Sequence, residues 1–378
     1  MNILHVVNIS FVIPYFLGEQ LLYFKRKGYE EYIICSPSRD IDYFSQIYKF
    51  QYLSTEILRK ISIIKDLKAV LETVRYIRNK QIDIVTGHTP KGALIAMLAA
   101  YITHVPIRIY FRHGLVYETS TGFKRKLLML MDKLASALAT KVICVSPSVY
   151  HKSIEDKLNS VSKQYLLSKG TCNGIDVEKF YRNTLNKVHI QKLRKDLNIE
   201  QTDLVIGYTG RLVRDKGIIE LVHAFQKLQC KYPKLKLLLV GMLEERDALP
   251  NDIVETIRQN PNIMNTGYVQ NSNIEYYYAL MHVFVLPSYR EGFPTSVLEA
   301  SAMELPIVTT RATGCVDSII EKETGIFVEH DSDSIATAID YFCSDENRRI
   351  EFGKNGRKFV VDNFEQHIIW AEIEKLYK

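Results

Sequence analysis

Short apolar runs of strand length alternate with helix-length segments along this chain, and the alternation restarts once near its middle. A strand that is followed by a helix before the next strand has to cross over. The strands therefore come out parallel, and helices cover both faces of the sheet. In the first half, strands are expected near residues 3–7, 31–35, 83–86, 107–111, 141–145 and 165–168, with helices over 14–27, stopped by Gly28, and over 63–79. The restart follows the turn residues Asn173-Gly174-Ile175-Asp176 and a polar stretch from Glu178 to Thr202. Further strands are expected near 204–208, 235–240, 283–286, 307–309 and 325–328. The fold class is α/β: two doubly wound domains, residues 1–176 and 177–364, whose ligand-binding strand ends face a central cleft. The amphipathic last helix, residues 365–378 with Trp370, is expected to cross back onto the first domain.

Composition agrees with two globular domains. The chain has 378 residues, 47% of them hydrophobic and 24% charged, which excludes a disordered chain. Six cysteines show no C-x-x-C spacing and mostly sit inside apolar runs, as reduced core thiols do. The first strand starts almost at Met1, which leaves no room for a signal peptide. The longest apolar stretch, residues 93–103, is short of the ~20 residues a spanning helix needs. A cytoplasmic protein, peripheral on the membrane at most, is expected. Residues 1–178 hold 24 Lys+Arg against 15 Asp+Glu, while residues 179–378 hold 25 against 28. The basic half suggests an anionic partner surface, with a solvated basic face as the plain alternative.

Residues 291–299 read E-G-F-P-T-S-V-L-E. The buried run before them predicts a strand, residues 288–294 its exit loop, and 295–303 the next helix. Glu291 then lies at the carboxyl edge of the sheet and Glu299 just over one turn inside the helix. Between them the unpaired N–H groups of a helix start can take an anion. Pro294 has no N–H, so Thr295 and Ser296 are the expected donors. A second phosphate-binding candidate opens the second domain, where the run Gly207-Tyr208-Thr209-Gly210-Arg211 is followed by Lys216-Gly217 and a helical segment. Arg211 can hold phosphate oxygens bidentately and Lys216 acts as a mobile point charge. No G-x-x-x-x-G-K-[ST] occurs there, and no G-x-G-x-x-G follows the first strand. This argues against a P-loop ATPase and a dinucleotide dehydrogenase.

Together these stretches make the chain similar to the retaining, nucleotide-sugar-dependent glycosyltransferases of family 4, which have the two-domain GT-B architecture. His88-Thr89-Pro90-Lys91-Gly92, Arg112-His113-Gly114 and Asn173-Gly174-Ile175-Asp176 with Phe180 resemble further motifs of members that build bacterial capsule, O-antigen or lipid-linked oligosaccharide. The resemblance covers nearly the whole chain and is strongest over residues 207–325. It implies transfer of a hexose or N-acetylhexosamine from a nucleotide sugar, UDP being the first guess, to a growing lipid-linked surface glycan. Glu299 would hold the ribose hydroxyls. Arg211 and Lys216 would neutralise the departing diphosphate, and Glu291 and His113 would contact the sugar. Gly210, Gly292, Phe293, Pro294, Thr295 and Ser296 would line the donor, with Tyr268 and Val269 beside the base.

Fixed cations in a dry site can stabilise the two charges that develop on a nucleoside diphosphate. No metal or other cofactor is therefore expected. The D-x-D tripeptides Asp40-Ile41-Asp42 and Asp331-Ser332-Asp333 read as turn or capping residues. A covalent intermediate would need a carboxylate on the far face of the sugar, where none is assigned, and the resemblance implies front-face substitution instead. His88 and Lys91, at the end of the 83–86 strand, are candidates to meet an acceptor phosphate, with Lys91 as a solvated helix-start residue the alternative. The first strand-to-helix loop, residues 8–15, lacks the glycines frequent in the family. In residues 123–141, Lys124, Arg125, Lys126, Lys133 and Lys141 flank Leu127, Leu128, Leu130, Leu134 and Leu138. That pattern suits a helix on the anionic inner face of the plasma membrane, or one packed on its own sheet. No nucleic acid is expected as a partner. The competing readings are a GT-B sugar-nucleotide epimerase, a phosphorylase, for which no Schiff-base lysine can be pointed to, and a non-catalytic sugar- or nucleotide-binding protein.

Overall fold

The computed structural model describes residues 1–58 and 62–378. The chain divides into two compact units, residues 1–174 with 366–378, and residues 175–365. Each is built on one parallel sheet.

In the first unit seven strands, β1 (Asn2–Val6), β2 (Glu30–Cys35), β3 (Gln51–Ser54), β4 (Ile84–Gly87), β5 (Ile107–Arg112), β6 (Lys141–Cys144) and β7 (Gln164–Leu166), lie in the order β3-β2-β1-β4-β5-β6-β7. Every pairing is parallel. The second unit repeats the pattern with β8 (Leu204–Thr209), β9 (Leu235–Val240), β10 (Ile263–Asn265), β11 (Val283–Leu286), β12 (Ile307–Thr310) and β13 (Gly325–Val328), ordered β10-β9-β8-β11-β12-β13. Central strands are buried along their length, as in β4, β11 and β12, because helices cover both faces. Val205, Ile206, Leu237, Leu239, Phe284 and Val285 anchor the second core, and Leu4, Val6, Val85 and Tyr110 the first.

Two strands were not expected. β3 and β10 are edge strands of four and three residues whose sequences, QYLS and IMN, carry no continuous apolar run. The single helix expected over residues 14–27 is two, Ile13–Phe16 and Glu19–Arg26, because Gly18 takes φ +47° between them. The last helix, Gln366–Leu376, belongs to the first unit, where the Trp370 indole N–H donates to Asn173 O at 2.9 Å. Five of the six free cysteines are buried. Asp331 caps the helix Ser332–Cys343 by accepting from the Asp333 and Ser334 amides.

Gly217 joins the turn Arg214–Lys216 to the helix Ile218–Gln229 at φ +69°, and a Cβ there would lie 2.2 Å from Pro287 O. Neither backbone can retreat without moving a site loop. Gly217→Ala is expected to destabilise the protein by about 1–3 kcal/mol. Urea unfolding followed by circular dichroism should show a lower midpoint at unchanged slope; an unchanged midpoint would mean the loop has room.

Candidate functional site

In each sheet the winding reverses once, between β1 and β4 in the first unit and between β8 and β11 in the second. Loops leaving the carboxyl ends of such strands border the crevice where ligands bind in open α/β sheets.

In the second unit the reversal places the loop after β8 beside the loop after β11. Tyr289 N–H donates to Asp215 O at 2.9 Å, and Arg290 pairs with Asp215 at 3.3 Å. Between them Lys216 Nζ meets Glu291 Oε1 at 2.5 Å, and Ser288 Oγ donates to the same oxygen at 2.9 Å. Both members of this ion pair are largely shielded from solvent. Glu291 is held from behind, where its N–H donates to Thr313 O at 3.1 Å, and a Cβ on Gly314 would come within 2.5 Å of Gly292 O. Arg211, on the same loop as Lys216, is more exposed and pairs with Glu244 at 3.1 Å. Gly210 lies against Gly241, whose Cβ, if it had one, would sit 1.8 Å from Gly210 O.

The helix Thr295–Ala302 starts as expected directly after Pro294, with no side-chain cap. The Val297 and Leu298 amides bond back to Pro294 O, and those of Thr295 and Ser296 stand ahead of that first turn. Glu299 is buried on this helix and accepts from the Tyr278 hydroxyl at 2.8 Å. Burial pushes its carboxyl up to about 7, against the pull of Tyr278 and Lys179. Phe293 packs on the core, as does Val269, whereas Tyr268 is half exposed after the edge strand β10.

In the first unit His113 follows β5 and its ring stacks on Phe16 with centroids 3.8 Å apart. Desolvation lowers its pKa to about 3, so the imidazole is neutral. His88, at the end of β4, is buried and bonded on both nitrogens, to Thr86 at 3.1 Å and to His113 at 3.0 Å. Lys91 is buried and pairs with Asp66 at 2.7 Å. The structure thus gives both acceptor-site candidates internal partners, and Lys91 is not the solvated residue its helix-start position suggested.

Comparison with known proteins accounts for nearly the whole chain. Residues 16–159 match the family described as Glycosyltransferase Family 4 and residues 189–359 the family described as Glycosyl transferases group 1. A capsular polysaccharide biosynthesis glycosyltransferase of Staphylococcus aureus is 38% identical over 377 residues, covering 100% of this chain and 96% of its own. The chain belongs to glycosyltransferase family 4. An Escherichia coli relative, UDP-Gal:alpha-D-GlcNAc-diphosphoundecaprenol alpha-1,3-galactosyltransferase, is 26% identical and covers 88% of this chain and 84% of its own. Among solved structures, a Rickettsia africae glycosyltransferase superposes with TM-score 0.83 at 21% identity, covering 100% and 97% of the two chains. An Anabaena protein in complex with UDP and glucose superposes with TM-score 0.80 at 18% identity, covering 99% and 98%. The two Rossmann-like units are those of the GT-B fold.

Within this family-4 glycosyltransferase, the fold brings together Lys216, Glu291 and the start of the helix that carries Glu299. Sequence reasoning missed Asp215, Ser288, Arg290 and Tyr278. Arg290 and Asp215 could have been found as charges flanking the two motifs; Tyr278 lies on a separate helix, Ile274–Tyr278, with no local signal.

Glu299 also makes stability depend on pH. Its folded pKa of about 7 lies above the ordinary 4.5, so its contribution is fully present below pH 4.5 and is lost as pH rises through 7. Glu299→Gln removes the buried charge and keeps an acceptor for Tyr278. The variant is expected to gain up to about 3 kcal/mol relative to the parent at pH 8 and nothing at pH 4.5. Thermal melts at the two pH values test this, and parallel pH profiles for the two proteins would refute it.

Proposed function

We propose that this glycosyltransferase moves a hexose or N-acetylhexosamine, with retention, from a UDP-linked donor to a growing lipid-linked glycan of capsule type. The observation that carries the reading is the shielded Lys216–Glu291 pair at the β8/β11 reversal, beside the start of the 295–302 helix. The names of the relatives point the same way. The Staphylococcus aureus protein is named for capsule synthesis, and the Escherichia coli name specifies a UDP sugar and a diphosphoundecaprenol-linked acceptor.

In this reading the donor diphosphate takes over Lys216 and Arg211 from their carboxylate partners, and the Thr295 and Ser296 amides close on its oxygens. Glu291, released from Lys216, accepts from sugar hydroxyls, and a sugar contact is assigned to His113 of the first unit. Glu299 holds the ribose hydroxyls, with Gly210, Gly292, Phe293 and Pro294 lining the donor and Tyr268 and Val269 beside the base. As the glycosidic bond breaks, charge develops on the diphosphate, and positioned cations stabilise that charge more than they stabilise the ground state. Front-face attack lets the leaving phosphate take the acceptor's proton. No divalent ion is required in this account.

Lys216→Ala or Arg211→Ala is expected to lower kcat about 10²–10³-fold, the usual cost of removing one preorganised charge-stabilising donor. Nucleoside diphosphate release with a panel of donors measures it, with chelator added in parallel. Turnover that survives both substitutions, or that chelator abolishes, would sink the proposal.

A lipid-linked acceptor also needs access to a membrane surface. In the helix Gly122–Leu138, Leu128 and Leu138 pack inward, while Phe123, Leu130 and Leu134 are exposed one above the other at helical spacing beside exposed Lys124, Arg125 and Lys126. No helix among the described residues is long and apolar enough to cross a membrane. An apolar stripe with cationic flanks fits anionic headgroups. Changing Lys124, Arg125 and Lys126 to Glu should abolish sedimentation with phosphatidylglycerol vesicles at low salt; unchanged sedimentation would remove this helix from the account.

A further inference from the structure

The first unit holds a continuous buried polar chain that the reaction scheme above does not use. It starts at Glu31 on β2, whose Oε2 lies 2.9 Å from His5 Nε2 on β1. His5 Nδ1 lies 2.6 Å from Thr86 Oγ1 on β4, and Thr86 Oγ1 lies 3.1 Å from His88 Nε2. His88 Nδ1 in turn lies 3.0 Å from His113 Nε2. Glu31, His5, Thr86 and His88 are each at most 2% exposed. Phe111 stacks on His88 and Phe16 on His113, which keeps water from the links.

Such a chain has only two polarities, because each neutral imidazole carries one N–H and one lone pair. With Glu31 ionised, its oxygen can only accept, so His5 donates from Nε2 and must accept at Nδ1. Thr86 then donates to His5 and accepts from His88 Nε2–H. His88 accepts at Nδ1 from His113 Nε2–H. The outer nitrogen, His113 Nδ1, is left as a bare lone pair, and it has no hydrogen bond to any described residue. One extra proton on the Glu31–His5 pair would reverse every link and turn His113 Nδ1 into a donor.

We propose that Glu31, His5, Thr86 and His88 are positioning residues that lock His113 in its Nε2–H tautomer, so that Nδ1 accepts a hydrogen bond from a sugar hydroxyl. This deepens the sugar contact given to His113 under the proposed function and rests on it. A buried carboxylate that fixes an imidazole tautomer through its far nitrogen is a device enzymes use with a single histidine; here the same constraint is carried across four strands. His88 and His113 stay neutral within it, since desolvation, with the neighbouring histidines, holds His88 well below the ordinary range and desolvation lowers His113 to about 3. At the inner end, burial raises the Glu31 carboxyl above its ordinary value, His5 and Lys25 lower it again and Glu30 adds to the rise, with Tyr377 from the last helix feeling its charge. Glu31 Oε1 and the Tyr377 hydroxyl are both buried without a hydrogen-bond partner in the described structure. Nothing else there competes with His5 for Glu31, so the carboxylate imposes its polarity on His5 alone.

The test is the nitrogen-15 spectrum of the histidine-labelled full chain, with His113 assigned by its loss in His113→Ala. The His113 ring is expected in the Nε2–H form in the parent. In Glu31→Gln, whose amide can serve either polarity, and in Thr86→Val, which removes the hydroxyl link, it is expected to populate both tautomers. Thr86→Ser keeps the link and should restore the parent spectrum. Because His5 and His88 also approach directly at 3.4 Å, Thr86→Val should be the milder change. Steady-state kinetics should show Glu31→Gln losing about tenfold in kcat/KM for the donor, one hydrogen bond to the sugar. Thr86→Ser should lose little. If Glu31→Gln does not fold, the Thr86 pair carries the comparison. A parent ring in the Nδ1–H form, or a ring unmoved by both Glu31→Gln and Thr86→Val, overturns the lock. If His113→Ala itself leaves turnover unchanged, it is the sugar contact that fails, and the spectra still report on the lock.

Discussion

The Lys216–Glu291 ion pair is the point on which the second unit's site depends. Two opposite charges 2.5 Å apart and largely shielded from water are costly to bring together unless further hydrogen bonds support them. The support is visible: Ser288 donates to Glu291, Thr313 holds the Glu291 amide, and Asp215 ties both loops through Tyr289 and Arg290. A pair built this way keeps a lysine in place while leaving its charge exchangeable. A more highly charged ligand such as a diphosphate can outbid one carboxylate for the ammonium. In the proposed reaction the same exchange would free Glu291 for hydroxyl groups, so one contact would serve both to keep the empty site ordered and to make the loaded site selective.

Geometry of the parallel sheet explains why these loops meet at all. β8 and β11 are neighbours although β9 and β10 intervene in the chain. Their exit loops therefore come side by side from positions about 75 residues apart. Close backbone approach does the rest, since Gly217 against Pro287 and Gly314 against Gly292 leave no space for a side chain. The glycines set the distance and the charges then act across it.

How much of this the residues reveal depends on where each signal resides. Central strands, buried on both faces, announce themselves as unbroken apolar runs, and the spacing of Glu291 and Glu299 survives intact as loop and helix. Edge strands β3 and β10 are half solvated and short, so their composition resembles loop. The break at Gly18 was hidden because glycine is tolerated inside a helical pattern and only its positive φ ends the helix here. His88 and Lys91 were legible as strand-end residues, but not their partners. Asp66, Thr86 and His5 lie 25, 2 and 83 residues away; the β1–β4 pairing brings His5 to the end of β4, while Asp66 reaches Lys91 from the separate helix Ile63–Lys80.

The two units solve related problems with opposite electrostatics. Where the second unit places one exposed and one largely shielded cation on a glycine-hinged loop, the first places neutral imidazoles in a dry stack between Phe16 and Phe111. A cationic histidine would attract phosphate but would gain little from a sugar hydroxyl over water. A neutral one with a fixed lone pair discriminates by hydrogen-bond direction, which charge cannot do. Holding it neutral requires desolvation, and desolvation in turn requires that each buried nitrogen find a partner. The chain from His113 back to Glu31 is what satisfies that requirement. Its length follows from the sheet, because each partner is supplied by a neighbouring strand until a carboxylate is reached that needs no further donor to define its direction.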